Sequence, residues 1–394
     1  MLLRSLGQSV REAWEVPRDL LLRRYPAFVT GGELARGEVP VFVFHGAEPE
    51  PFARKLAHLA RNGYATLSVD EYTDVVRGRI TPPERAVLLS FDDGRGSVWS
   101  VAAPLLKRHG MRAVVFLVPG RVPEHALGST WDDVEAGRVE RSVVLAREQA
   151  EGALLSWEEI DALGRTGRFD FQSHTLSHAR VHTTPALAGF VTPKTQRGYA
   201  AFDQPLIRDG ARDRLGLEVP LGTPLLRSAP RTSEERRFFE DPELRTSCVT
   251  AVADAGGEAF FRRSDWEARL RSAFRGVRVQ GRIETLQEQA AAIRHQLVEA
   301  RRLIEARTGR PVVHLCYPWH AAGDTARRLA IEAGYETAFC GKVEGVPITR
   351  QGGDLRAIAR LGEDYVELLP GEGRRSLGEL LRHKWARRFG RARA

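Results

Sequence analysis

The apolar positions of this chain change period repeatedly, and those changes mark out its elements. Val41-Phe42-Val43-Phe44 is a short, unbroken apolar run ended by His45 and Gly46, which predicts a buried strand. Phe52, Leu56 and Leu59 then recur at helical spacing up to Asn62-Gly63, a stop signal. A second strand is expected over 65–69. A third, Ala86-Val87-Leu88-Leu89-Ser90-Phe91, runs into Asp92-Asp93-Gly94. A helix over 97–108, a strand over 113–118, a helix capped by Ser156, and a strand over 169–173 that delivers His174 follow. Further on, Ile283, Leu286, Ala290, Ile293, Leu297, Ala300 and Ile304 step by three and four, predicting one long amphipathic helix closed by Gly309. The last clear strands lie at 312–317 and 337–340. Alternating strands and helices predict a mainly parallel sheet with helical crossovers.

The segment 185–282 breaks this rhythm. It is rich in Arg, Gly and Pro and weakly periodic, and it reads as an insertion with some structure of its own. The expected organisation is a helical extension over 1–39, a first domain part over 40–184, the insertion, a second part over 283–373 and a tail over 374–394. The chain carries 59 Lys+Arg against 51 Asp+Glu, a net +8. Residues 374–394 hold eight basic residues and one acid, so they account for +7 of it. The body is nearly neutral and offers no basic groove with interleaved aromatics, which argues against nucleic acid. In the tail, Leu377, Leu381, Trp385 and Phe389 recur every four residues among arginines. That pattern suits a basic amphipathic helix on an anionic membrane surface. Three cysteines without C-x-x-C spacing, and an N-terminus without an apolar core, point to a reducing, cytoplasmic setting.

Four polar clusters fall at the carboxyl ends of predicted strands: His45, Asp92-Asp93, His174 with His178, and Tyr317-Pro318-Trp319-His320. In parallel α/β architectures, sites are built on that edge. Two adjacent carboxylates ending a core strand need a cation or hydrogen-bond donors to offset their burial. Taken alone, Asp92-Asp93-Gly94 is equally well a turn. His174 and His178, four apart, share one face of a helical turn and can grip a metal. Two histidines and one carboxylate make an open three-ligand site, leaving the second carboxylate free to act as a base.

These clusters, in this order, resemble the polysaccharide deacetylase superfamily of metal-dependent carbohydrate esterases. Leu89-Ser90-Phe91-Asp92-Asp93-Gly94 is similar to its T-F-D-D-G motif, with Ser for Thr. His174-Thr175-Leu176-Ser177-His178 matches its paired-histidine motif, and Leu315-Cys316-Tyr317-Pro318-Trp319 is similar to its third motif. The resemblance covers roughly 40–180 and 283–345. It implies an α/β fold: a distorted (β/α) barrel of about seven parallel strands, interrupted by the insertion between the second and third motifs.

By the same resemblance, Asp92 is the general base, and Asp93, His174 and His178 hold a divalent metal, most often Zn2+. Tyr317, Pro318, Trp319 and His320 line the substrate groove, with the Tyr317 amide helping to hold the oxyanion. His45 is assigned as the general acid, with His320 as the alternative. Cys316 stands where many members carry an arginine that pairs with the base, which leaves the partner of Asp92 open. The activity implied is removal of the N-acetyl group from an amino-sugar in a polysaccharide, oligosaccharide or lipid-linked glycan. Two other readings stay open: a metal-dependent hydrolase of a small non-carbohydrate amide, and a carbohydrate-binding protein with a degenerate site.

Overall fold

The computed structural model describes residues 18–22, 24–125, 127–147, 153–210, 212–276 and 279–390. Of the N-terminal extension expected over 1–39, residues 1–17 lie outside the described residues. The rest is built into the body: Phe28 and Val29 are buried, and the Tyr25 hydroxyl sits 2.8 Å from that of Tyr365.

The strands β1 (Val41–Phe44), β2 (Ala65–Thr66), β3 (Ala86–Phe91), β4 (Ala113–Leu117) and β5 (Phe169–Ser173) come from the first part of the chain. An inserted region follows, with β6 (Arg180–Phe190), β7 (Ile207–Asp209), β8 (Arg212–Arg214), β9 (Pro224–Pro230), β10 (Phe238–Glu240) and β11 (Gly281–Ile283). The main sheet then resumes with β12 (His314–Cys316), β13 (Thr337–Phe339) and β14 (Leu361–Gly362). Its order is β13-β12-β5-β4-β3-β1-β14, with β2 on the first half of β3, and every pairing is parallel. This is the curled α/β sheet of a distorted barrel. Residues 358–362 bring its two ends together: the Cys340 amide donates to the Ile358 carbonyl, and Phe42 pairs with Leu361.

Strand alternation decides what faces where. Val87, Leu89, Phe91, Val115, Leu117 and Phe171 pack outward against the helices. Leu88, Val114, Phe116, Cys316 and Phe339 fill the barrel interior. By the same period of two, Ser90 and Asp92 follow Leu88 inward, and His174 follows Gln172. The polar residues at the strand ends therefore converge over an apolar plug of Phe116 and Phe339, whose rings lie 5.0 Å apart.

Several boundaries differ from those expected. The long helix runs Leu286–Thr308, and Ile283 belongs to β11 instead. Thr285 and Glu288 form a reciprocal capping box that sets the helix start, while Gly309, at φ 66°, ends it. The inserted region spans 180–283, since the first proline of the compositional shift, Pro185, lies inside β6. The insertion has its own small core of Phe190, Leu226, Phe238, Leu244, Cys248, Val252, Phe260, Leu270 and Phe274. In the tail, a helix spans Leu377–Gly390, with Leu380 buried and Leu377 packed on the main core. Leu377, the first residue of the expected lipid-facing stripe, is thus docked on the protein. The Trp385 and Phe389 side chains and residues 391–394 lie outside the described residues. No helix among the described residues is long and apolar enough to cross a membrane.

Candidate active site

The site is assembled just beyond the ends of β3, β5 and β12. The Asp92 amide still donates to the Phe44 carbonyl at 2.9 Å and that of His174 to Leu117 at 2.7 Å, so both residues extend the sheet by one step. The chain then turns sharply. Among the described residues, non-glycine positions with left-handed backbone are Asp93, Thr175, His178, Trp319 and His320, all in the three predicted motifs. Such backbone is costly for side-chain-bearing residues and persists where surrounding structure fixes it, typically at functional sites. Gly94 shares the conformation, at φ 67°, and a Cβ there would sit 2.7 Å from Leu117 Cδ2. Glycine is what lets Asp93 lie against β4.

His174 and His178 come together, but not on a helical turn. Residues 174–179 form a non-helical loop, and the left-handed steps at Thr175 and His178 bring the second ring back toward the first. Asp93 Oδ1 lies 3.4 Å from Nε2 of each histidine. The Asp93 Oδ2 atom faces Arg95 Nε at 3.9 Å. All three ligand candidates are buried. His174 Nδ1 donates to the Cys316 carbonyl at 2.8 Å, which turns Nε2 toward Asp93. His178 is wedged between Trp319, with ring centroids 4.0 Å apart, and Phe202 at 5.6 Å. Burial and the neighbouring His174 push its pKa down to about 3, so its ring is neutral, the form that can ligate a metal. Burial opposes a charged His174, but the negative potential of Cys316 and of the Asp92 and Asp93 carboxylates outweighs it and holds this pKa up.

One carboxylate oxygen and two imidazole nitrogens, converging and oriented by outer contacts, fit a divalent cation with open positions. A second cluster, Asp92, His174 and Cys316, also converges. There the cationic position is already filled. Arg360 donates from Nη1 to Asp92 Oδ1 at 2.7 Å and from Nη2 to Oδ2 at 2.8 Å, with Nη2 2.9 Å from Cys316 Sγ. Its remaining donors reach Ser90 Oγ at 3.2 Å and the Cys340 carbonyl at 2.9 Å. Arg360 and Asp92 are both fully enclosed. Burial alone would raise the Asp92 pKa, but the Arg360 charge and hydrogen bonds drive it well below the carboxylate range.

The other expected residues are distributed unevenly. His45 is exposed at the mouth, at the end of β1, and its charge contributes to lowering both Asp92 and Asp93. It borders a cleft of about 610 Å³ that also reaches Arg95, Lys55 and Glu363. Tyr317 is not in the groove. Its parity is that of Leu315, so its ring is buried in the core between sheet and helices, and its amide donates to Phe339 at 3.4 Å. Pro318 is buried beneath the turn. His320 keeps an exposed edge, yet its ring sits low enough that desolvation, then the Arg360 charge, push its pKa down to about 3.

Two residues that motif spacing did not single out belong to the site. Arg360 is one. The other is Arg180, whose guanidinium lies 4.9 Å above the Trp319 ring.

Residues 79–203, which carry both the Asp92-Asp93 and the His174/His178 clusters, match the family model for polysaccharide deacetylase. That stretch is similar to the polysaccharide deacetylase family. A Bacillus subtilis (strain 168) relative named as a polysaccharide deacetylase, YxkH, is 29% identical over 89 residues, 21% of this chain and 32% of that protein. The poly-beta-1,6-N-acetyl-D-glucosamine N-deacetylase of Escherichia coli O157:H7 is 23% identical over 222 residues, 55% of this chain and 31% of that one. The chain thus spans about a third of the length of the curated relatives it matches. In fold it is similar to a de-N-acetylase from Aggregatibacter actinomycetemcomitans, with a TM-score of 0.50 at 16% identity, covering 82% of this chain and 94% of that one.

Proposed function

We propose that this chain is a metal-dependent deacetylase that hydrolyses the N-acetyl group of an amino-sugar in a polysaccharide, oligosaccharide or lipid-linked glycan. One observation carries the reading. A buried Asp93–His174–His178 ligand set stands beside a second buried carboxylate, Asp92, that is held ionised by its own arginine. The E. coli relative, whose name specifies an N-acetyl-D-glucosamine polymer, supports an amino-sugar substrate.

Asp93, His174 and His178 would hold the cation; nitrogen and oxygen donors in this number suit zinc. When bound, it supplies Lewis-acid polarisation of an acyl oxygen and a lowered pKa for a nearby water. Asp92 takes the proton from the attacking water. The Arg360 fork keeps its carboxylate charged and aimed, while each oxygen retains a lone pair for that proton. His45 delivers a proton to the leaving amine. His320 is the poorer donor, because its surroundings disfavour the imidazolium. Acetate release from N-acetylglucosamine oligomers, set against release from small N-acetyl amides, tests the reading. Turnover of the amides alone would replace it with the non-carbohydrate alternative.

A further inference from the structure

The inserted region holds a cavity of about 980 Å³ between the β6–β9 ribbon and the helical stretch that carries Phe261 and Trp266. Three features make it a binding site. First, Phe261 and Trp266 are only half-buried, with ring centroids 5.2 Å apart. Phe260 braces Phe261 from behind, edge-on at 5.4 Å. Rigid, half-exposed aromatic faces in a concave wall suit the C–H faces of sugar rings.

Second, the charges around the rim cancel: Asp203, Glu258 and Glu267 stand against Lys194, Arg262 and Arg271. Glu258 is paired with Arg197 at 2.8 Å, and Glu267 with Arg271 at 2.7 Å. A polyanion or polycation gains nothing here, whereas a neutral polar chain finds both donors and acceptors.

Third, a chain of side-chain contacts joins the cavity wall to the candidate metal site. Ser228, on its wall, accepts a hydrogen bond from Arg180 Nε at 3.1 Å. The same arginine covers Trp319, and Trp319 covers His178.

We infer that this cavity binds sugar units of a neutral acetylated glycan, away from the amide that reacts. The inference rests on the glycan reading of the site. It makes the insertion the element that favours long chains over short ones.

Two variants test it. Trp266→Ala removes the stacking face. Gly189→Trp places a large side chain into the cavity from β6, at a position where a Cβ would meet nothing within 4 Å. The ratio of kcat/KM for an N-acetylglucosamine hexamer to that for the dimer should fall about tenfold in both. A wild-type ratio in Gly189→Trp overturns the inference and leaves the deacetylase reading standing. A second readout is independent of turnover: retardation of metal-depleted protein in gels containing poly-N-acetylglucosamine. Weaker retardation of Gly189→Trp supports the cavity even if no glycan is hydrolysed; equal retardation of wild type and Gly189→Trp contradicts it.

Discussion

Arg360 grips both oxygens of Asp92, across 268 residues of sequence and with neither side chain reached by solvent. The pair links the strand segment that closes the barrel to the strand that carries the catalytic motif. It therefore ties the closure of the barrel to the position of Asp92. A buried charge left without its partner is far more costly than the pair is stabilising.

Arg360→Leu should accordingly destabilise the protein by about 3–5 kcal/mol, as breaking a buried pair typically does. Urea unfolding of the purified variant measures this. A loss below about 1 kcal/mol would show that Asp92 finds another donor or takes up a proton.

Asp92→Asn keeps the shape and removes the basic oxygen. Turnover should drop by ~10²- to 10⁴-fold, the usual contribution of a general base. Bound metal, measured by elemental analysis, should stay at the wild-type level, because Asp93 and the two histidines are untouched. Loss of metal in this variant would move Asp92 into the ligand set.

His45 and His320 separate by the same logic. His45→Gln should lower kcat by ~10²-fold or more and remove a limb from the pH–rate profile. His320→Gln should change kcat by less than about tenfold. The reverse pattern would exchange their roles.

The inserted region carries its own acid sensitivity. His182 Nε2 accepts the Leu226 amide at 3.2 Å, so its Nδ1 is the protonated nitrogen and donates to Glu240 at 3.1 Å. Burial pushes the Glu240 pKa up, but the His182 hydrogen bond outweighs it and holds the carboxyl low. A lowered folded pKa gives stability that is complete above the unfolded value, near ~4.3, and is lost as pH falls through the folded value. Urea midpoints of the wild type should fall on acidification below that point, and those of Glu240→Gln should fall less steeply. Parallel slopes would show that Glu240 does not couple to folding.

Much of this was legible in the chain. Leu88, Ser90 and Asp92 alternate with Val87, Leu89 and Phe91, so strand period alone turns Asp92 inward. The Thr285 capping box and Gly309 fix the long helix to within a turn. The burial of the Tyr317 ring follows from the same period: parity sends it outward with Leu315, although its motif sits on the rim. Arg360 was hidden by composition. Basic residues number 59, nearly all of them arginine, so one more arginine gives no signal even inside Ala357-Ile358-Ala359-Arg360-Leu361. Only its position between two apolar neighbours, just before the short strand β14, marks it as enclosed. The approach of His178 to His174 was foreseeable as a contact but not as a geometry, since it depends on two left-handed residues that carry side chains.

The most direct measurement is acetate released from N-acetylglucosamine oligomers by the full chain as prepared, after exhaustive chelation, and after zinc is returned. The account predicts release, its loss on chelation and its recovery with zinc, with Asp93→Ala unresponsive to added metal. Release that survives chelation, or that persists in Asp93→Ala, would contradict a metal centre built on Asp93, His174 and His178.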